Sequence, residues 1–208
     1  MVLNPNSGKP EVFLTEKKRS WQNGSMPGSD QSLWDALRLG DKKALDYIFE
    51  NYISVLQWYG GKVTKNQAIV EDSIQELFIE LWNKQALLSS TTSIKFYLFK
   101  SLRRRVIKKL KSENWHKGFL SLGNISDLAF DFSRESAIID EEIDDEKKKY
   151  VRSLMGNLSK RQQEIIYLKF YEDLPATQIA EIMGLTIPSV YSLIGKAFAA
   201  LRKAKKHL

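Results

Sequence analysis

Residues 174–201 read LPATQIAEIMGLTIPSVYSLIGKAFAAL, a spacing of apolar, small and turn-forming residues that is typical of a helix-turn-helix. The pattern predicts a first helix over 175–183, which Gly184 ends because the residue after a helix usually needs a left-handed backbone. Thr186 is then expected to cap a second helix, whose other face would meet a groove of duplex DNA. The alternative is an ordinary pair of antiparallel helices within a helical bundle.

Composition excludes several classes of protein. The chain has 208 residues, of which 43% are hydrophobic, so it is long enough for one domain or two small ones. No apolar run approaches membrane-spanning length and the start has no signal-peptide layout, which predicts a cytoplasmic protein without a membrane partner. The chain has no Cys, and His116 and His207 lie far apart. Without a phosphate-binding loop or a catalytic motif either, we expect no metal, no cofactor and no enzymatic activity.

The net charge of +7 is distributed in blocks. Residues 95–117 contain nine basic residues and one acid, residues 126–146 contain nine acids and one Arg, and residues 196–207 are basic again. Like-charge blocks resist collapse and commonly lie in linkers or tails. The sequence therefore predicts a disordered tail over 1–29, a first domain over 30–112, an acidic linker over 113–146 and a second domain over 147–208.

The first domain is predicted to be almost entirely helical. Helical spacing breaks at Gly40 and Asp41, where Asp41 is a plausible cap, so two helices are expected to meet there. The next helix begins near Val70, and six side chains form its apolar stripe: Val70, Ile74, Leu77, Phe78, Leu81 and Trp82. Its opposite face carries Asp72, Gln75, Glu76 and Ile79. From the pattern alone, this face is more typical of a solvated surface than of a docking site.

A long helix over 93–112 combines cations with aromatic residues. Ile94, Leu98, Leu102, Val106 and Leu110 are expected to point inward. Arg and Lys bind phosphates, and Phe96, Tyr97 and Phe99 could stack on exposed bases, a combination that suits melted single-stranded DNA. The alternative is that the aromatic side chains belong to the core and the cations form a solvated face.

The order of these motifs resembles that of an extracytoplasmic-function (ECF) sigma factor of the kind common in Bacteroidetes. The matching stretches are GD at Gly40, VEDSIQELFIELW at Val70, YLFKSLRRRVIKKLK at Tyr97, LSKRQQEIIYLKFYEDL at Leu158 and the helix-turn-helix. The resemblance implies an all-α fold, with a region 2 helical bundle and a region 4 helix-turn-helix joined by a flexible acidic linker. It also implies a factor that binds core RNA polymerase and directs transcription initiation at promoters.

The resemblance assigns roles to three sets of residues. Polymerase docking, on the beta-prime coiled coil, would involve Asp72, Gln75, Glu76 and Ile79. Recognition and melting of the minus-ten element would involve Lys95, Phe96, Tyr97, Lys100, Arg103, Arg104 and Lys108. Binding of the minus-thirty-five element would involve Thr186, Pro188, Ser189, Tyr191, Ser192, Lys196 and Arg202. Region 4 would also meet the beta flap, and the acidic linker would thread through the polymerase channels.

Departures from the family pattern affect the predicted DNA contacts. Arg104 stands where Asn is usual and Lys108 where an acid is frequent, which favours phosphate contact over sequence readout. Tyr191 and Leu193 stand where Lys and Arg are frequent, so recognition of the minus-thirty-five element is expected to be weak. This motivates the hypothesis of an upstream DNA-bound targeting protein, for which an RNA-guided complex is one option. An anti-sigma factor is a further partner that the sequence leaves open.

Two other functions remain as alternatives at this stage. A stand-alone helix-turn-helix regulator would bind specific duplex DNA without polymerase. A helical adaptor that binds only protein would show little salt-dependent affinity for DNA.

Overall fold

The computed structural model describes residues 28–116 and 145–205. The tail predicted over 1–29 and the linker predicted over 113–146 lie almost entirely outside these residues. Eight α-helices are described: α1 (Asp30–Arg38), α2 (Lys42–Val63), α3 (Gln67–Asn83), α4 (Ile94–His116), α5 (Asp145–Gly156), α6 (Lys160–Ile166), α7 (Ala176–Met183) and α8 (Ile187–Lys205). The same parts of the chain contain no β-strand, which confirms the all-α prediction.

Helix ends lie where local chemistry predicts them. Gly40 has φ +89° and separates α1 from α2, and the Asp41 carboxylate accepts a hydrogen bond from the Lys43 amide at 2.9 Å. Asn66 caps α3 in the same manner. Two boundaries differ from the prediction: α3 begins at Gln67, and α4 continues to His116.

The N-terminal unit consists of α1 to α4, in which α2, α3 and α4 pack against one another. Trp34 of α1 is fully buried and donates its indole N–H to the carbonyl of Ser89 at 2.9 Å. The carboxylate of Asp30 accepts a hydrogen bond from the Ile94 amide at 2.9 Å, so α1 also caps the start of α4. The predicted stripe of α3 is buried except for Trp82, which is half-buried, and Leu110 of α4 is likewise half-buried.

The C-terminal unit consists of α5 to α8 and contains the predicted helix-turn-helix. Ser159 and Gln162 form a reciprocal capping box at the start of α6. Pro175 lies at the cap of α7 instead of inside the first turn, and Gly184 ends the helix with φ +64°. The Thr186 hydroxyl accepts a hydrogen bond from the Ser189 amide at 3.4 Å and caps α8. Val190 and Ala197 are buried as predicted, whereas Ile194 is half-buried.

No single helix in the described ranges is long and apolar enough to cross a membrane. Taken together across their bend of 95°, α7 and α8 are long and apolar enough to do so.

The two units pack directly against each other, mainly through α4 and α7. The rings of Trp58 in α2 and Tyr167, at the end of α6, have their centroids 4.4 Å apart. Residues 167–171 continue α6 as a single π-helical turn, which the sequence pattern did not predict. The side chains of both units therefore form one continuous apolar core.

Candidate polymerase and nucleic-acid interfaces

The exposed face of α3 carries the four residues predicted to dock on polymerase. Asp72, Gln75, Glu76 and Ile79 are all exposed, while the opposite face of the helix is buried. Ile79 is 52% exposed, a high value for an aliphatic side chain. An apolar side chain ringed by acidic and amide groups can contact a protein surface that combines cations with an apolar patch.

Cations of α4 neutralise part of this acidic face. Lys109 Nζ lies 3.0 Å from a Glu76 carboxylate oxygen and 3.5 Å from one of Asp72. Beside them, Glu80 pairs with both Lys84 and Arg105. A hydrogen bond from Lys84 and the positive charge of Arg105 lower the pKa of Glu80. Sequence reasoning missed Lys109 as a member of this face because it lies on a different helix.

Exposure differs among the α4 residues predicted to meet minus-ten DNA. Lys100, Arg104 and Lys108 are exposed, Lys95, Phe96 and Tyr97 are half-buried, and Arg103 is only 5% exposed. The Tyr97 ring packs 4.8 Å from that of Trp34, and Lys100 Nζ lies 5.3 Å from the centre of the Phe96 ring. Phe99 is fully buried, so this ring belongs to the core. The structure thus exposes three of the seven residues.

Arg103 belongs to a buried polar cluster at the contact between the two units. Its guanidinium donates to both carboxylate oxygens of Glu164 in α6, at 2.7 and 3.3 Å, and to the Ile182 carbonyl at 3.1 Å. The Tyr59 hydroxyl donates to the same carboxylate at 2.8 Å. Burial acts to lower the pKa of Arg103, but the charge of Glu164, together with the interactions with Tyr59 and the hydrogen bonds to both residues, raises that pKa above its usual value.

Two further pairs of opposite charge connect α4 with the C-terminal unit. Lys95 Nζ lies 3.0 Å from a carboxylate oxygen of Glu172, which is 6% exposed, and Lys100 pairs with Glu181 of α7 at the solvent edge. The Tyr167 hydroxyl hydrogen-bonds the other carboxylate oxygen of Glu172. Three cations of the predicted minus-ten surface are therefore paired with acids of the second unit.

The exposed face of α8 carries the residues predicted to meet upstream DNA. Pro188, Ser189, Tyr191, Ser192, Lys196 and Arg202 are all exposed, and Thr186 lies at the helix cap. Four of them, Pro188, Ser189, Ser192 and Lys196, line an open pocket of about 460 Å³. Tyr191 and Arg202 lie outside this pocket.

Arg161 of α6 lines the same pocket and was not among the predicted site residues. Among the described residues, its Nε has no hydrogen-bond partner. Arg161 therefore adds a second cation to the pocket, beside Lys196. Sequence spacing could not assign Arg161 to this pocket, because α6 and α8 come together only when the unit folds.

Comparison with known proteins agrees with this arrangement. The family models for sigma-70 region 2 and sigma-70 region 4 match residues 48–116 and 148–208. No curated protein matches the sequence significantly. One similar solved structure is that of CnrH in complex with the cytosolic domain of CnrY, with a TM-score of 0.54 and 18% identity over 86% of this chain and 97% of that chain. Another is the sigma factor RpoE in complex with the anti-sigma factor NepR from Bartonella quintana, with a TM-score of 0.54 and 16% identity over 79% of this chain and 98% of that one.

The two family matches together cover more than half of the chain and fall in the order that the motifs predicted. The chain belongs to the sigma-70 family, whose members are non-catalytic factors of transcription initiation. Within it, the chain has the two-region layout of an ECF sigma factor, and its fold agrees with that layout. The Bacteroidetes subgroup stays a prediction.

Proposed function

We propose that the chain docks on core RNA polymerase through the α3 face, that α4 opens and reads the minus-ten element, and that α8 binds the minus-thirty-five element. The observation that carries this proposal is that Asp72, Gln75, Glu76 and Ile79 are all exposed on a helix that is buried on its other side. An exposed Ile beside acids offers an apolar contact within a polar rim, an arrangement found in protein interfaces. Polymerase and promoter DNA place this work in the cytoplasm.

Charge reversal on the α3 face tests the docking step. We expect Asp72→Arg with Glu76→Arg to abolish co-purification with bacterial core polymerase, because two like charges would then meet the cations of the partner. Asp46 and Glu50 are exposed on α2 at the same spacing of four residues, so Asp46→Arg with Glu50→Arg is a matched control that should keep binding. Equal binding by both double variants would contradict the assignment of this face.

Upstream recognition is proposed to be weak and to rely on help from a second DNA-bound protein. The N-terminal half of α8 offers the hydroxyls of Ser189, Ser192 and Tyr191 and the Lys196 amine, whereas Arg202 lies in the last turn, away from the N-terminal residues with which a recognition helix contacts base edges. Arg161 would strengthen this face chiefly as a phosphate contact. A targeting protein that reads sequence itself, such as an RNA-guided complex, would supply the missing specificity.

Selection from a random promoter library measures whether upstream recognition depends on a second DNA-bound protein. With core polymerase and this chain alone, we expect a recognisable minus-ten preference and little enrichment around minus thirty-five. Arg161→Ala should weaken binding to duplex DNA about equally for all sequences, as the loss of a phosphate contact does. A strong minus-thirty-five consensus from the two components alone would contradict the need for a partner.

An anti-sigma protein is proposed as a further partner. Support comes from the two similar folds, CnrH with CnrY and RpoE with NepR, both of which were solved as complexes with another protein. Such a partner would hold the chain away from polymerase until a signal releases it.

A further inference from the structure

Lys109 of α4 reaches across to the exposed face of α3. Its ammonium nitrogen lies 3.0 Å from a carboxylate oxygen of Glu76 and 3.5 Å from one of Asp72. Side chains four residues apart lie on the same face of a helix, one turn from each other, so a single cation contacts both acids. Asp72 and Glu76 are the two acids in the set of four residues proposed to dock on polymerase. The chain therefore pairs both docking acids internally before any partner arrives.

The exposures of these three side chains differ in a way that bears on docking. The side chain of Asp72 is 65% exposed and that of Glu76 is 58% exposed, whereas that of Lys109 is only 25% exposed. The carboxylates thus face solvent, and the cation lies against the protein beside them. A partner can reach the carboxylates, but its cations would meet an ammonium group that is already in place.

Glu80, one turn further along α3, is neutralised in the same manner. It pairs with Lys84 at the end of α3 and with Arg105 of α4. Along this side of α3, formal charges cancel between three carboxylates and three cations: Asp72, Glu76 and Glu80 against Lys84, Arg105 and Lys109. A neutral face attracts a cationic partner over distance less strongly than an acidic face does.

The charge of Lys109 has two opposite effects on docking, of unequal size. Ion pairs of solvent-exposed acids contribute little to stability, so Asp72 and Glu76 gain little orientation from Lys109. The same ammonium group repels any positive charge that comes within a Debye length, which is about 8 Å at physiological ionic strength. Removing the charge of Lys109 therefore removes more repulsion than orientation.

We infer that Lys109 is an internal competitor for the docking carboxylates and lowers the affinity of the chain for core RNA polymerase. This inference rests on the proposed role of α3 in docking. A polymerase cation that pairs with Asp72 or Glu76 must displace the Lys109 ammonium or lie beside a like charge. The chain consequently binds polymerase less tightly than its acids alone would allow, so the occupancy of polymerase stays sensitive to the concentration of the chain.

Binding of the full chain to core polymerase in the absence of DNA tests the inference. We expect Lys109→Gln to lower Kd about two- to fivefold at physiological salt, mainly through faster association. This gain should shrink as the salt concentration rises, because salt screens the repulsion. Lys109→Arg keeps the charge and should keep the affinity of the unaltered chain. Biolayer interferometry with immobilised core polymerase gives Kd and both rate constants.

Lys108 provides the matched control. It precedes Lys109 in α4 and is exposed, and the ion pairs of Asp72 and Glu76 are made by Lys109 instead. Lys108→Gln removes the same charge from the neighbouring position and should leave Kd unchanged. Circular dichroism should show the same helix content for every variant.

A double-mutant cycle with Glu76→Gln shows whether Lys109 acts through the docking acids. Glu76 is the nearer partner, so the gain from Lys109→Gln should be smaller in a chain that also carries Glu76→Gln. An equal gain in both backgrounds would overturn the inference. Unchanged or weaker binding by Lys109→Gln, equal tightening by Lys108→Gln, or tightening by Lys109→Arg would each overturn it as well.

The same measurements separate this inference from the proposed function. Absence of polymerase binding by the unaltered chain, or full binding by Asp72→Arg with Glu76→Arg, would contradict the proposed docking face. Binding that depends on this face but does not respond to Lys109→Gln would contradict only the role of Lys109.

Discussion

Tyr59 lies at the point where the two helical units meet. Its ring packs 4.7 Å from that of Phe99 and 6.0 Å from that of Tyr167, and its hydroxyl donates to Glu164. Burial raises the pKa of its phenol well above the ordinary value of 10.0, and the Glu164 charge raises this pKa further. The folded chain therefore keeps a proton that the unfolded chain releases at high pH.

The free energy of unfolding should consequently fall as the pH rises above about 10. The unfolded state then binds fewer protons than the folded state, so the stabilisation that is complete below the unfolded pKa is lost with rising pH. Burial likewise raises the pKa values of Tyr52 and Tyr167, which contribute to the same fall. Urea unfolding at several pH values should show that the free energy of unfolding falls less steeply with pH for Tyr59→Phe than for the unaltered chain. Equal dependence of this free energy on pH in the two chains would contradict this interpretation.

Substitution by Ala should change the free energy of unfolding in opposite directions at two exposed glycines. Gly184 has φ +64° and Gly195 lies within α8, and a Cβ at either position meets no atom within 4 Å. Gly184→Ala should lower the free energy of unfolding by about 1 kcal/mol, because a side chain strains the left-handed backbone. Gly195→Ala should raise it by about 0.5–1 kcal/mol through helix propensity. Urea unfolding of both variants measures the two changes, and a change in the same direction for both would contradict the turn geometry.

At the scale of whole elements, the crossing of α2 and α3 depends on Gly60. A Cβ at Gly60 would lie 2.5 Å from a methyl carbon of Val70, whereas one at Gly61 meets only the tip of Gln67 at 3.9 Å. Gly60→Ala should therefore destabilise the chain by about 1–3 kcal/mol through overpacking. Gly61→Ala is the neighbouring control and should be neutral or slightly stabilising. Thermal unfolding of the pair tests whether the two helices approach as closely as described.

The exposed side of α4 should bind nucleic acid through phosphates. Arg104 and Lys108 are exposed, so phosphates can reach both side chains. Arg104→Ala with Lys108→Ala should weaken poly(dT) binding and reduce the slope of log affinity against log salt by about 1.4, or roughly 0.7 per lost phosphate contact. Lys42→Ala with Lys43→Ala removes two exposed cations of α2 and should leave the slope unchanged.

The ends and buried faces of the helices could be predicted because they depend on near neighbours in the chain. Asp41, Gly184 and Thr186 act within four residues of their own positions, and the apolar stripe of α3 follows from helical spacing alone. The exposed docking face was predicted for the same reason. Its role in docking came from the resemblance and stays a prediction.

Contacts between distant parts of the chain could not be predicted from spacing. Arg103 and Arg104 are adjacent and identical in type, yet Arg103 is buried and Arg104 is exposed. Arg103 is buried against Glu164, which lies 61 residues further along the chain, so local spacing could not predict the difference. Lys109 reaches the α3 acids only after α3 and α4 pack. The π-helical turn of 167–171 likewise has no periodic signature that would distinguish it from an α-helix.

At the scale of the whole molecule, ion pairs connect the two helical units. The cations of α4 give the N-terminal unit its predicted affinity for melted DNA, and acids of the C-terminal unit pair with three of them. The sigma-70 family matches establish the two regions, and α4 and α7 pack against each other where the regions meet.

The most direct test of the account is transcription from a supercoiled genomic library by purified core polymerase, with and without this chain. We predict initiation at a defined set of start sites that requires the chain and is lost with Asp72→Arg and Glu76→Arg but kept with Asp46→Arg and Glu50→Arg. Specific duplex binding by the chain alone, with no start site that depends on it, would contradict the account and favour a stand-alone helix-turn-helix regulator.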